Sequence, residues 1–268
     1  MVIVIKRLTI ALLVVIFACF STAAAQVVNK NTDGPVIKGN SAEVRSIQNK
    51  AFFVGENLSF DIYWEIAHVG NATLSVTKTL NYNGRTVYQV DSRAQSNKVI
   101  SSFYRVDDRV TSYIDTAGIF SHRLEKHLSE GKYKADRLFL LNQVDNIGIS
   151  HRDTVNIPQY CQDILSSFYY IRTQELKIGS TFEVPNFDNG KVYDIIVNVL
   201  KKQRIRVPAG TFDCIIVEPK LKGEGLFKHQ GKIKIYLTDD ERKIPVLLVS
   251  EVVFGQVAAK LTKIEGTF

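Results

Sequence analysis

The 268-residue chain lacks the residue spacings that carry most enzyme chemistry. Its five histidines stand apart, without a His-x-His or Cys-x-x-Cys pair, so the sequence shows no zinc site. It has no Gly-x-Ser-x-Gly elbow and no glycine-rich phosphate loop. The adjacent carboxylates lack the ligand spacing of a calcium loop. We therefore predict no metal, no cofactor and a non-catalytic protein, and a hydrolytic site built from dispersed residues is the less favoured alternative.

Long runs of one charge are also absent. The chain carries 34 Lys+Arg against 27 Asp+Glu, a formal net charge of +7. Its nearest approach to a basic patch is the stretch 201–206 (KKQRIR), which is typical of a solvated strand end. We expect no nucleic-acid partner, because nucleic-acid binding requires a more concentrated basic surface.

The first clear feature that is present is an export signal. The Lys6-Arg7 pair precedes an apolar run over Leu8–Phe20, and small residues follow it up to Ala25. These are the parts of a secretory signal peptide, so we predict that residues 1–25 are removed by cleavage between Ala25 and Gln26. A retained anchor is less favoured, because spanning a membrane takes about 20 apolar residues.

Cleavage would give an exported domain, periplasmic or associated with the outer membrane, without a transmembrane span in the mature chain. Lipoprotein processing at Cys19 is the minority alternative, because the residues before it match a lipobox only loosely. Residues 26–50 are polar and interrupted by glycine and proline, which indicates a flexible leader. We assign residues 51–268 to a single β domain.

Cys161 and Cys214 are the cysteines that remain after processing. An exported compartment permits disulfides, and a bridge between them would stabilise the domain by roughly 4 kcal/mol. Both cysteines have apolar neighbours, which is equally typical of buried free thiols. A disulfide and two free thiols therefore stay open as alternatives.

Alternating hydrophobicity dominates the domain. From Asn57 onward, apolar residues occupy every second position through Ile66, which predicts a half-buried antiparallel strand. Similar segments, most of them separated by turn residues, follow over 72–80, 86–93, 105–115, 120–128, 132–141, 191–203, 211–219, 232–238, 245–254 and 256–265. So many strands cannot lie flat, so we predict a mainly β fold with a large curved antiparallel sheet or a barrel-like β domain.

One segment has helical spacing instead. Apolar residues of 159–174, among them Ile164, Leu165, Phe168 and Ile171, fall on one helical face. We predict one α-helix here that covers an open sheet face or plugs a barrel end.

Aromatic, basic and acidic residues near this helix and one later turn are the candidates for ligand binding or helix docking. We favour docking, in which Arg172 at the end of the helix pairs with Asp239 or Asp240, over binding of an anion or substrate. The candidates are Trp64, Phe168, Tyr169, Tyr170, Arg172, Asp239, Asp240 and Arg242.

Three stretches of the sequence resemble a known family. They are residues 163–172 (DILSSFYYIR), 207–212 (VPAGTF) and 237–246 (LTDDERKIPV), with a start near Gly55-Glu56. Over about residues 50–265 the chain resembles the domain of unknown function 3108 family, which is common among exported proteins of Gram-negative bacteria. The resemblance implies a predominantly β domain in the cell envelope and supplies no catalytic residues.

Three functional hypotheses follow from these features. The first is a non-catalytic domain that binds a lipid or another apolar or amphipathic envelope component in the concavity of the sheet. The second is a structural or assembly protein recognised through an exposed sheet edge or face. The third, less favoured, is an envelope hydrolase with a dispersed site.

Overall fold

The computed structural model describes residues 45–151, 153–222, 232–252 and 255–266. The predicted signal peptide, its cleavage site at Ala25 and Gln26, and the alternative lipidation site Cys19 lie outside the described residues. Only the end of the predicted leader, residues 45–50, falls within them.

Residues 45–50 pack against the domain. The N–H of Ile47 donates to the carbonyl of Ala117 at 2.8 Å. The guanidinium of Arg45 donates to the carbonyl of Gly118 at 2.7 Å, and it lies over the ring of Tyr160 at 4.5 Å. The folded unit therefore includes residues 45–50 in addition to the domain that we assign from residue 51.

In the described residues the chain forms fourteen strands and two helices. In chain order they are β1 (Asn57–Trp64), β2 (Ala67–Tyr82), β3 (Arg85–Ser96), α1 (Lys98–Ser101), β4 (Asp107–Asp115), β5 (Ser121–Glu130), β6 (Tyr133–Asn142), β7 (Ile147–Ile149), β8 (Thr154–Asn156), α2 (Ile164–Thr173), β9 (Thr181–Asp188), β10 (Lys191–Val207), β11 (Gly210–Leu221), β12 (Ile233–Thr238), β13 (Pro245–Val252) and β14 (Gly255–Glu265).

These strands form one antiparallel sheet in the order β8-β7-β6-β5-β4-β3-β2-β1-β14-β13-β12-β11-β10-β9. Within the described residues every neighbouring pair except β1 and β14 is consecutive in the chain, so most of the pairing is local in sequence. The predicted mainly β fold with a large antiparallel sheet is confirmed.

Strand β1 shows how the alternating pattern sets the two faces. Leu58, Phe60 and Ile62 are almost completely buried, whereas the residues between them lie on the outward face. The predicted continuation to Ile66 is wrong. Glu65 has a positive φ of 53°, which turns the chain after Trp64, and Ile66 lies at the tip of the turn.

The sheet curls until its two ends come close, without closing into a barrel. Lys126 on the concave face of β5 contacts Asp188 of β9 at 2.7 Å. Between the edges, Gln162 pairs with β9: its N–H donates to Pro185 and its carbonyl accepts from Phe187, both at 2.8 Å. The segment before α2 therefore covers part of the β9 edge.

Helix α2 packs on the concave face. It begins at Ile164 and ends at Thr173, which is shorter than the predicted 159–174. Residues 159–163 are not helical because Tyr160 has a positive φ of 58° and Gln162 pairs with β9. Leu165, Tyr169 and Ile171 belong to the core that the strands enclose.

The sequence pattern does not reveal α1, β7, β8 or β9. The first three span only three or four residues, too few to show a period. Strand β9 contains Pro185, which argues against a central strand; β9 lies at the sheet edge, where proline is tolerated. Neither helix in the described residues is long and apolar enough to cross a membrane.

Candidate functional site

Asp163 fixes the start of α2 to the concave face of the sheet. Its carboxylate accepts hydrogen bonds from the backbone N–H groups of Leu165 and Ser166 at 2.7 and 2.8 Å. It also accepts from the hydroxyl of Ser112 on β4 at 2.6 Å. Burial raises the pKa of Asp163. The residue therefore caps the helix and orients it within the sheet.

Arg172 fixes the other end of α2. Its guanidinium donates to both carboxylate oxygens of Glu56, at 2.7 and 2.9 Å, and to the carbonyl of Ala51 at 2.9 Å. Both charged side chains are fully buried. Burial is the largest single influence on the pKa of Arg172 and lowers it, but the charge and hydrogen bonds of Glu56, together with smaller contributions from other groups, outweigh burial and raise the pKa.

The predicted pairing of Arg172 with Asp239 or Asp240 is therefore wrong. Asp240 is occupied within its own turn, where its carboxylate accepts from the hydroxyl of Thr238 at 2.7 Å and from the N–H of Lys243 at 2.9 Å. Asp239 pairs with Lys202 at 2.6 Å. The hydrogen bonds from Arg172 to this turn go to the carbonyl of Arg242, at 3.2 and 3.3 Å.

Arg242 and the aromatic residues complete the same packing. The guanidinium of Arg242 donates to Glu56 at 3.0 Å. Tyr169 is fully buried in an edge contact with Phe52, their ring centroids 4.8 Å apart, and burial raises its pKa. The half-buried Phe168 and Tyr170 pack against the core. The candidate residues on α2 therefore lie in a docking arrangement.

Trp64 does not join this group. It ends β1, whereas Glu56 precedes the start of that strand, so roughly 25 Å of extended chain separates them. The structure therefore does not bring the candidate residues into one site.

Cys161 and Cys214 are free and buried, which is the second of the two alternatives. Burial raises the pKa of Cys161 to about 12 and that of Cys214 to about 11. Both thiols are therefore protonated at neutral pH and poor nucleophiles.

A polar depression lies on the outward face of β2, β3, β4 and β5, and sequence reasoning missed it. Its volume is about 430 Å³. Its lining is almost entirely charged or hydroxylated: Thr73, Gln89, Asp91, Arg93, Arg109, Thr111, Tyr113, Glu125 and His127.

Three nitrogen-bearing side chains form a row across this depression, which we call the basic row: Arg93, Arg109 and His127. Arg109 on β4 is directly opposite Arg93 on β3 and directly opposite His127 on β5. Side chains opposite each other in a sheet are about 4.5–5.5 Å apart at Cβ, and like charges there repel. The row therefore concentrates hydrogen-bond donors at an electrostatic cost.

The two outer members of the row have carboxylate partners. Arg93 donates to both oxygens of Asp107, at 2.9 and 3.0 Å, and these hydrogen bonds lower the pKa of Asp107. His127 contacts Asp136 at 2.6 Å. Arg109 is exposed, and no side chain within the described residues pairs with it. The centre of the row is thus a free guanidinium between two donors.

The carboxylates in the depression are already hydrogen-bonded. Asp91 accepts from the hydroxyl of Thr111 at 2.6 Å and from the amide of Gln89 at 3.0 Å. Glu125 pairs with Arg123 at 2.6 Å. The depression is therefore suited to an anion such as a phosphate or carboxylate, for which an arginine supplies a planar pair of donors.

A second group of ionisable side chains lies on the concave face. Asp108 and Glu130 are 4% and 6% exposed, and Asp108 accepts from the N–H of Ser129 at 2.7 Å. Burial and the neighbouring Asp108 raise the pKa of Glu130 to about 8. Glu130 therefore keeps its proton at neutral pH, beside the buried Asp108. In the described part of the chain, no three His, Cys, Asp or Glu residues converge to hold a metal ion.

Comparisons with known proteins identify a family and a fold. The model of one family, described as protein of unknown function (DUF3108), matches residues 59–262. No curated protein matches the chain. The crystal structure of a beta-barrel-like protein of domain of unknown function DUF1849 from Brucella abortus is similar, with a TM-score of 0.53 and 11% identity, and the match covers 83% of this chain and 98% of that one.

Two further crystal structures match more weakly. One is a protein with a YmcC-like fold from Bacteroides fragilis, described as exported, with a TM-score of 0.30 and 14% identity. The other, from Parabacteroides distasonis, is described as a lipoprotein and has a TM-score of 0.32 and 12% identity. Both matches cover 83% of this chain and 100% of the other. The similarity to the Brucella protein shows the barrel-like fold alone.

Proposed function

This chain belongs to the DUF3108 family of proteins of unknown function, and we propose that it is an exported, non-catalytic cell-envelope domain that binds the anionic head of an amphipathic envelope component at the basic row. The observation that carries this proposal is the free guanidinium of Arg109 between Arg93 and His127. An anion placed there would relieve the repulsion within the row and accept hydrogen bonds from Arg109.

The surface beside the basic row offers contact for an apolar group. Leu138 on β6 is directly opposite Glu125 of the depression and is 42% exposed. Leu140, also on the outward face of β6, is partly exposed. A ligand with its anionic head on Arg109 could therefore lay an apolar part along β6. We place the ligand here because α2 and the core occupy the concave face.

The structure favours this role over recognition through a sheet edge. Of the two edge strands, β8 has only three residues. The edge of β9 is already paired with Gln162 through Pro185 and Phe187. Neither strand offers a long row of unpaired backbone groups to a partner strand.

Titration of the purified mature chain with a soluble short-chain phosphatidylglycerol tests the proposal. We expect saturable binding, detected by NMR or calorimetry, that Arg109→Gln weakens about tenfold through the loss of one charged hydrogen-bonding group. Arg206→Gln is the matched control, because Arg206 is an exposed arginine of β10 outside the depression. Absence of binding, or equal weakening by both substitutions, would refute the proposal. Inorganic phosphate in a parallel titration shows whether the anion alone is sufficient.

A further inference from the structure

Large apolar side chains are exposed at the end of the sheet where β1 meets β2 and β3 meets β4. Ile66, at the tip of the turn after β1, is 95% exposed. Val99 on α1 and Phe103 just after it are 71% and 56% exposed. We call these three residues the apolar tip.

The two segments that carry the apolar tip are fastened together. Asn97 caps α1, where its side-chain oxygen accepts from the N–H of Ile100 at 2.9 Å. The amide of the same side chain donates to the carbonyl of His68 at 2.7 Å, and its backbone N–H donates to Val69 at 2.9 Å. The apolar tip is therefore held by the sheet.

Cations surround the apolar tip. Lys98 is the first residue of α1, Arg105 follows the helix in sequence, and Lys132 lies in the turn after β5; all three are exposed. That turn is adjacent, because the N–H of Gly131 donates to the carbonyl of Arg105 at 2.7 Å. The nearby carboxylate of Glu65 is already engaged, accepting from the N–H of Gln256 at 2.7 Å.

Half-buried aromatic residues lie just behind the apolar tip. Tyr63 and Trp64 end β1 immediately before the turn that carries Ile66. Apolar side chains in front, amphipathic aromatic rings behind them and cations around them match the layers of a bilayer surface, from acyl chains to headgroups. Scattered single apolar residues would not show this order.

We propose that the apolar tip inserts into the surface of an anionic lipid bilayer, with Lys98, Arg105 and Lys132 at the level of the phosphates. The apolar side chains would enter the bilayer below the headgroups, and the cations would attract acidic lipids. The proposal concerns a different surface from the basic row and stands independently of it.

The test uses the mature chain purified from its host and vesicles of phosphatidylethanolamine with phosphatidylglycerol. Trp64 is the only tryptophan in the sequence, so its fluorescence reports on this end alone. We expect lipids brominated in the acyl chain to quench Trp64, and the triple variant I66S/V99S/F103S to lose the quenching and to bind vesicles at least about tenfold more weakly.

The matched control is V54S/V144S, because Val54 and Val144 are 45% and 52% exposed away from the apolar tip. This variant should bind and be quenched like the unaltered chain. An unaltered chain that shows no quenching, a triple variant that keeps it, or a control that loses it equally would each overturn the proposal. If the triple variant fails to fold by circular dichroism, Ile66→Ser alone provides the same comparison. Binding of the soluble lipid at the basic row is a separate readout, so either proposal can fail without the other.

Discussion

Arg172 of helix α2 and Glu56, the residue before β1, form a bidentate ion pair in which neither side chain is exposed to solvent. The pair joins the helix to the start of a strand in the middle of the sheet. Two charges buried together depend on each other, because removing one takes away the main opposite charge that compensates the other for its loss of water. The ion pair is therefore a strong constraint on where α2 can sit.

We expect Glu56→Gln to lower the free energy of unfolding by about 3–5 kcal/mol. The substitution leaves the buried Arg172 facing a neutral amide, and Arg242 loses its carboxylate at the same time. Urea denaturation followed by circular dichroism measures the loss.

An exposed pair of the same geometry serves as the control. Arg204 donates to both oxygens of Asp213 at 2.8 Å, but both side chains are largely in water. Asp213→Asn should leave the unfolding free energy unchanged within error, because solvent screens exposed pairs. Equal losses for Glu56→Gln and Asp213→Asn would contradict the assignment of Arg172 and Glu56 as a buried anchor.

The two buried thiols should resist modification in the folded chain. With the pKa of Cys161 at about 12 and that of Cys214 at about 11, almost no thiolate exists at about pH 8. Mass spectrometry after iodoacetamide treatment should show both cysteines unlabelled in the native chain and both labelled after unfolding without reductant. Labelling that requires a reductant would instead reveal a disulfide.

Local patterns in the sequence predicted the parts of the fold that depend on local physics. The period-two burial of Leu58, Phe60 and Ile62 follows from one buried sheet face, so β1 was predictable up to its turn. The partner of Arg172 was not predictable, because Glu56 lies 116 positions away. In the sequence, Asp239 and Asp240 look equally suitable as carboxylate partners.

The sequence did not predict the basic row, for a related reason. Asp91 and Arg93, Arg109 and Thr111, and Glu125 and His127 are each two positions apart, which places each pair on one strand face. This spacing is a visible signal. The sequence does not show the pairing register that sets Arg93, Arg109 and His127 opposite one another, because this register depends on bulges such as that between Tyr113 and Ile114.

Arg109→Gln should slightly stabilise the chain while it weakens ligand binding. Arg109 lies opposite Arg93 and has no carboxylate partner in the described residues, so its removal relieves repulsion worth about 0.2–1 kcal/mol. The midpoint of urea denaturation at low salt measures this gain, which should shrink at high salt because ions screen exposed charges. A clear loss of stability would mean that Arg109 has a structural role instead of a binding role.

The buried pair of Asp108 and Glu130 should make stability fall as the pH rises. Glu130 has an ordinary pKa of 4.5 in the unfolded chain and of about 8 in the folded one, because burial and Asp108 disfavour its charge. The folded state therefore holds the extra proton between these values. Its stabilising contribution is complete below about pH 4.5 and is lost by about pH 8, at a slope of at most about 1.4 kcal/mol per pH unit.

Glu130→Gln isolates this effect, because an amide resembles the protonated carboxyl at every pH. In urea denaturation the unfolding free energy of the variant should match that of the unaltered chain near pH 4.5 and exceed it near pH 8. Glu241→Gln, a substitution at a carboxylate that is 72% exposed, should leave the pH dependence as it is. If the stability of Glu130→Gln keeps the same slope with pH, Glu130 does not carry the extra proton of the folded chain, and the assignment is wrong.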